Sequence, residues 1–167
     1  MLEPLEAYHE RKRIYLPRAE HLRELRERGF GHLKENKIFL SPYETFYLVE
    51  KGRIRVVARK RREELSLRDL VKKLSVRKPE VWIRYLIYRD LRDRGYIVRE
   101  ASAADFEVYG KGPLRRLVSI IFEGREASLE RLNQLLRYAT RERKELVLAV
   151  IDRRTDIVYY TLSSLKI

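Results

Sequence analysis

The run Tyr85-Leu-Ile-Tyr-Arg-Asp-Leu-Arg-Asp-Arg-Gly-Tyr-Ile-Val-Arg99 decides the architecture, because its period changes part-way along. Before Gly95, the residues Trp82, Ile83, Leu86, Ile87 and Leu91 recur at helical spacing on one face, and Pro79 suits a first helical turn. Gly95 closes such a helix, and Tyr96 to Arg99 then alternates as a strand does. Asp105 to Tyr109 and Leu117 to Phe122 read as two more strands. Ser128 opens a helix to about Arg141, with Leu129, Leu132, Leu135 and Leu136 as its apolar stripe. Leu146 to Ile151 is an unbroken apolar run, suited to a strand buried on both faces, and Ile157 to Leu162 pairs after a short polar turn. The sum is a mixed sheet flanked by helices.

Working back from that helix, Arg77-Lys78-Pro79 marks a boundary, giving domains 1–76 and 77–167. The first is a small mixed α/β unit. Arg18 to Arg28 reads as a helix stopped by Gly29. Ser41-Pro42-Tyr43-Glu44 carries a capping box, with Pro in the first turn, and opens a helix that Gly52 ends. Arg53 to Ala58 alternates as a strand, Arg59 to Glu64 is a charged connection, and Ser66 with Asp69 caps a helix to about Ser75. The fold class expected is α/β: a small N-terminal domain and a C-terminal domain built on a mixed sheet.

Composition narrows the function. The 167 residues carry 38 Lys and Arg against 25 Asp and Glu, a net charge of +13, with 44% hydrophobic residues, too apolar for a disordered basic tail. No apolar run approaches the roughly 18 residues of a membrane span, and the first residues carry no targeting pattern, so an intracellular, cytoplasmic protein is expected. Zero cysteines exclude disulfides, thiolate metal sites and cysteine nucleophiles. Abundant charge of both signs with only two Asn and one Gln suits a thermophile, whose ion pairs are many. Ion pairing needs both signs, so the surplus of positive charge points instead to a polyanionic partner, most simply a nucleic acid.

Few residues offer catalysis by themselves. The histidines are His9, His21 and His32, none paired at metal-ligand spacing. Phosphate-cradling glycine loops are missing, Gly110-Lys111-Gly112 being too short. Asp105 and Glu107 share one strand face, which suits either a metal-dependent nuclease pair or ordinary strand-end charges. No metal or cofactor is expected.

Three ordered blocks then carry a resemblance. Tyr85 to Arg99 is followed by Asp105-Phe-Glu-Val-Tyr-Gly-Lys-Gly112, then by Arg143-Lys-Glu-Leu-Val-Leu-Ala-Val-Ile-Asp152 with Asp156-Ile-Val-Tyr-Tyr160. Together they resemble the C-terminal nuclease domain of the archaeal tRNA-splicing (tRNA-intron) endonucleases, and Ser41 to Gly52 resembles the family's N-terminal domain more weakly. The resemblance implies metal-free RNA cleavage leaving 2′,3′-cyclic phosphate and 5′-hydroxyl ends at bulge–helix–bulge sites. There a Tyr activates the 2′-hydroxyl, a His protonates the leaving oxygen and a Lys stabilises the phosphorane. The Tyr falls on Tyr109 and the Lys on Lys144.

The His has no counterpart. Pro113-Leu-Arg-Arg-Leu-Val-Ser119 stands at its place, with Leu114 or Arg115 nearest, and no histidine follows residue 32. Arg115 and Arg116 suit phosphate binding, but a guanidinium stays protonated and cannot serve as the acid. Glu100-Ala-Ser-Ala-Ala104 also lacks the glycines usual beside the family's active site. The chain therefore reads as the structural, non-catalytic subunit of an α2β2 endonuclease, its partners being a catalytic subunit and precursor tRNA. Arg137 stands where relatives hold a bulged base. The resemblance implies that Asp152 and Asp156 stand in a loop that in relatives docks on a neighbouring subunit, and that Tyr160, Leu162 and Leu165 lie along a strand that in relatives pairs across the dimer. Two other readings remain: an active nuclease using Tyr109 and Lys144 with a non-histidine acid, and a non-enzymatic nucleic-acid-binding module.

Overall fold

The computed structural model describes residues 3–75 and 80–164, with the backbone alone at His21. The chain forms two compact units, Met1–Tyr85 and Leu86–Ile167. Pro79 as a helix start, a domain boundary at 76/77 and the pairing role of Leu165 lie outside the described residues.

The first unit is a six-stranded sheet. Its strands are β1 (Leu5–Glu10), β2 (Arg13–Pro17), β3 (His32–Lys34), β4 (Lys37–Leu40), β5 (Ile54–Ala58) and β6 (Glu63–Leu65). The order is β3-β4-β2-β1-β5-β6, antiparallel except where β1 runs parallel to β5. Two of its hairpins turn on Arg11-Lys12 and Glu35-Asn36, all four with positive φ. Glycine normally supplies that backbone, which is why sequence patterning left the first four strands unassigned. Arg59 to Glu64, expected as a connection, is a turn through left-handed Arg62 (φ 53°) into β6. Arg18 to Arg28 likewise divides into a 3-10 turn at Ala19–His21 and helix α1 (Arg23–Glu27).

The capping box at α2 (Pro42–Glu50) forms as expected: Glu44 N donates to Ser41 Oγ and Ser41 N donates to Glu44 Oε2 at 2.8 Å. The second Glu44 oxygen accepts from Gly31 N at 3.0 Å, so one buried carboxylate ties the helix start to the bend that leads into β3. Ser66 and Asp69 cap α3 (Leu67–Ser75) in the same manner. Ala7, Ile14, Leu16, Ile38 and Val56 face inward from the sheet and are buried, as are Phe46 and Leu48 of α2 and Leu70 of α3.

Helix α4 (Val81–Asp93) carries the division between the units within it. The second unit's sheet has β7 (Ile97–Glu100), β8 (Phe106–Tyr109), β9 (Arg115–Phe122), β10 (Glu145–Ile151) and β11 (Ile157–Leu162), in the order β11-β10-β9-β8-β7. Only β9 and β10 are parallel. Tyr88 of α4 meets Phe106 on one face, their rings 5.9 Å apart. On the other, Leu135 and Ala139 of α5 (Leu129–Arg141) pack with Leu117 and Leu146. Period-2 alternation sorts the strands between these layers: Phe106 and Val108 are buried, while Glu107 and Tyr109 are half-buried.

Candidate functional site

Three strands and one turn build the site. Tyr109 ends β8 and pairs across to Arg115, which begins β9. β10 runs parallel to β9 with Glu145 opposite Arg116, so one step back along that register Lys144 falls beside Arg115. Lys144 reaches this place because α5 ends in a tight reversal. Arg143 takes left-handed backbone (φ 54°), and Lys144 N donates to Ala139 O at 2.8 Å. Tyr109, Arg115 and Lys144 therefore stand in one row across three strands.

The row is not electrostatically open. Lys144 Nζ lies 2.8 Å from Glu107 Oε1, an oxygen sealed from solvent that meets no other donor among the described residues. This carboxylate, above all, holds the lysine ammonium above its ordinary value against partial desolvation, with smaller electrostatic contributions from Tyr138 and Tyr109. Lys144 is charged at neutral pH, and the Glu107 carboxylate opposes that charge at 2.8 Å. The Arg115 guanidinium covers the Tyr109 ring at 5.3 Å.

The remaining candidates divide. Arg116 Nε is 2.7 Å from Glu145 Oε2 and its guanidinium lies over Tyr96, so an ion pair already engages it. Arg115 and Leu114 are exposed, and no carboxylate among the described residues pairs Arg115. Asp105 and Glu107 do not act together, since Asp105 Oδ2 accepts the Ile120 amide at 2.7 Å while Glu107 turns to Lys144. Among the described residues no group of three or more His, Asp or Glu is placed to hold a metal ion. No helix among the described residues is long and apolar enough to cross a membrane. Sequence reasoning missed Glu107 as the partner of Lys144. Alternation puts Glu107 on the Tyr109 face, but only the order of three strands brings Lys144 to it.

This layout can be set against known proteins. Residues 81–159 match the family described as tRNA intron endonuclease, catalytic C-terminal domain, and residues 5–71 match its N-terminal domain. A tRNA-splicing endonuclease of Pyrococcus horikoshii is 37% identical over 99% of both chains. Those of Pyrococcus abyssi and Methanococcus vannielii are 38% and 32% identical over 99% and 93% of this chain, which spans 99% and 92% of theirs. The chain belongs to the tRNA-intron endonuclease family.

The other expected positions of this chain fall on α5, in the β10–β11 turn and along β11. Arg137 is exposed on α5 and meets no carboxylate or ring among the described residues. Asp152 is committed to its own turn, its Oδ1 accepting from Arg154 N at 2.8 Å and Asp156 N at 2.9 Å. Asp156 is exposed. Strand β11 is an edge of its sheet, and Val158 and Tyr160 are 50% and 56% exposed on one of its faces. Leu162 packs partly against the α5 core from that face. On the opposite face Tyr159 donates to Asp90 Oδ2 at 2.7 Å, anchoring the strand to α4.

Proposed function

We propose that this chain is the structural subunit of a tRNA-splicing endonuclease, assembling with a catalytic family member and contributing positive surface for precursor tRNA. The observation that carries this reading is the pairing of Lys144 with Glu107. In the reaction that family membership implies, the 2′-oxygen attacks phosphorus, the 5′-oxygen leaves with a proton, and a lysine stabilises the anionic phosphorane. Here a carboxylate 2.8 Å from that lysine opposes the same negative charge. The leaving oxygen also has no acid, since Leu114 and Arg115 occupy the place of the family histidine. A general acid supplies about a hundredfold to ten-thousandfold in rate, so its loss leaves little useful turnover.

Assembly is the role left to the second unit. The Asp152–Asp156 loop presents the exposed Asp156 carboxylate beside Arg153 and Arg154, and the open edge of β11 with Tyr160 and Leu162 supplies pairing surface. The second reading, an active nuclease, draws on the row that joins Tyr109, Arg115 and Lys144. A cleavage assay on precursor tRNA separates the two. Under our reading this chain alone yields no cyclic-phosphate product, while its mixture with a catalytic family member does. Product from the purified chain alone favours the active nuclease.

A further inference from the structure

The outward face of the N-terminal sheet carries a row of rings unrelated to the site above. Strand register aligns Val57, Tyr8, Tyr15, Phe39 and His32 side by side across β5, β1, β2, β4 and β3. Successive ring centroids are 5.9 Å apart from Tyr8 to Tyr15, 5.7 Å from Tyr15 to Phe39 and 5.5 Å from Phe39 to His32. The last pair is stacked at 23°, and the outer ring, His32, is exposed. Along the row Tyr15 is buried, Tyr8 and Phe39 are half-buried and His32 is exposed, while Ala7, Ile14, Leu16 and Ile38 are buried on the opposite face.

Cations frame the rings. Lys37 Nζ lies 4.8 Å from the centre of the Tyr15 ring, and the Arg13 and Arg59 guanidinium groups lie over Phe39 and Tyr8. A groove of about 1110 Å³ lies at the Tyr8 and Tyr15 end of the row, lined also by Arg18, Lys37, Arg59 and Arg62. Within it Arg55 is neutralised by Glu6 and Arg59 faces Glu10, whereas Arg18, Lys37 and Arg62 have no carboxylate partner among the described residues. Arg18 and Arg62 hold left-handed backbone at φ 56° and 53°, an unfavourable state that persists only where the surrounding structure imposes it. Surplus positive charge beside stacked, partly exposed rings is the chemistry that single-stranded nucleic acid seeks. Bases stack on the rings and the cations neutralise phosphates.

We propose that the outward face of the N-terminal sheet is a single-stranded RNA-binding surface, with His32, Phe39 and Tyr8 as the stacking platform and Arg18, Lys37 and Arg62 as phosphate contacts. It rests on the reading that this chain handles precursor tRNA, and it adds a contact remote in sequence from the nuclease-like row. A protein partner is the competing occupant, and cations without carboxylate partners among the described residues, beside partly exposed rings, favour RNA.

The test uses the full chain with two probes, precursor tRNA and a ten-nucleotide oligouridylate. Arg18→Gln/Lys37→Gln/Arg62→Gln should bind oligouridylate at least tenfold more weakly at low salt. Its log-affinity against log-salt slope should be shallower by about two, at roughly 0.7 per phosphate contact on a single strand. His32→Ala, at an exposed ring, should weaken binding about fivefold or more with the melting temperature unchanged. Photocrosslinked oligouridylate should map to residues 5–40. An unchanged slope in the triple variant, or crosslinks confined to residues beyond 85, overturns the proposal. A triple variant that alters sedimentation while leaving RNA affinity intact makes this face a protein interface and overturns it as well. Oligouridylate binding without precursor-tRNA binding leaves the surface standing and sinks the subunit reading instead.

Discussion

Glu107 Oε1 meets Lys144 Nζ at 2.8 Å across two strands of the C-terminal sheet, with the two side chains 18% and 14% exposed. The pair consumes the cation on which family chemistry would draw. Glu107 raises the Lys144 value above the ordinary 10.5, so the pair's contribution to stability is fully present below about that pH. It is lost as pH rises through the elevated Lys144 value.

The first expectation concerns catalysis. Tyr109→Phe with Lys144→Ala should leave cleavage by the mixed complex nearly unchanged. A loss beyond tenfold, on the order of 1.4 kcal/mol in barrier, would show that this row still works. The fold itself should respond. Lys144→Ala alone strands the Glu107 carboxylate and should cost about 1 kcal/mol, between exposed and buried extremes, and adding Glu107→Gln should restore most of it.

The candidate RNA contacts of the C-terminal unit are Arg115 and Arg137, both exposed and lacking a carboxylate partner among the described residues. Replacing each by Ala should make the salt slope of duplex binding shallower by about 0.9 per lost phosphate contact. Arg116→Ala, which breaks the Glu145 ion pair, should instead appear in thermal stability. Identical binding slopes for all three variants would count against RNA contact here.

Assembly separates two acidic residues that look alike in sequence. Asp156→Lys reverses an exposed charge and should convert four-chain particles to two-chain units without lowering the melting temperature. Asp152→Ala removes the acceptor of two turn amides and should cost about 1 kcal/mol before any effect on assembly. Intact four-chain particles of the Asp156→Lys mixture in sedimentation would refute the docking role.

Stability of the first unit hangs on Glu44. Glu44→Ala should cost about 2 kcal/mol by denaturant unfolding, since it removes the carboxylate half of the capping box and the buried acceptor of the Gly31 amide. Gly31→Ala should cost at least as much. Its φ of 67° is unfavourable for a side chain, and the added carbon would meet Phe39 O at 2.7 Å.

His9, between β2 and β5, is held below the ordinary histidine value by burial first and by the Lys73 charge second. Folding thus favours neutral imidazole. The stabilising contribution is present above about pH 6.5 and is lost as pH falls through the depressed value. NMR should show His9 titrating below the ordinary range, and His9→Gln should flatten the acid-side fall in melting temperature. A titration at or above 6.5 would contradict this.

The sequence by itself determined what local chemistry controls. Ser41 and Glu44 made a cap because their spacing satisfies two end amides. Gly95 closed a helix because it adopts φ 91° without penalty, and Leu146 to Ile151 became an inner strand because every residue suits burial. The missing histidine was equally plain, since an absent side chain cannot be supplied by folding. Tertiary structure alone decided the rest. Hairpins turned on Arg11-Lys12 and Glu35-Asn36 carry little turn signal, because sheet pairing, not intrinsic preference, imposes their left-handed backbone. The aromatic row of Tyr8, Tyr15, Phe39 and His32 exists only through strand order. Glu107 reads as half of a metal pair beside Asp105 until β9 sets Lys144 opposite it, because charge partners are chosen by distance in space and not along the chain.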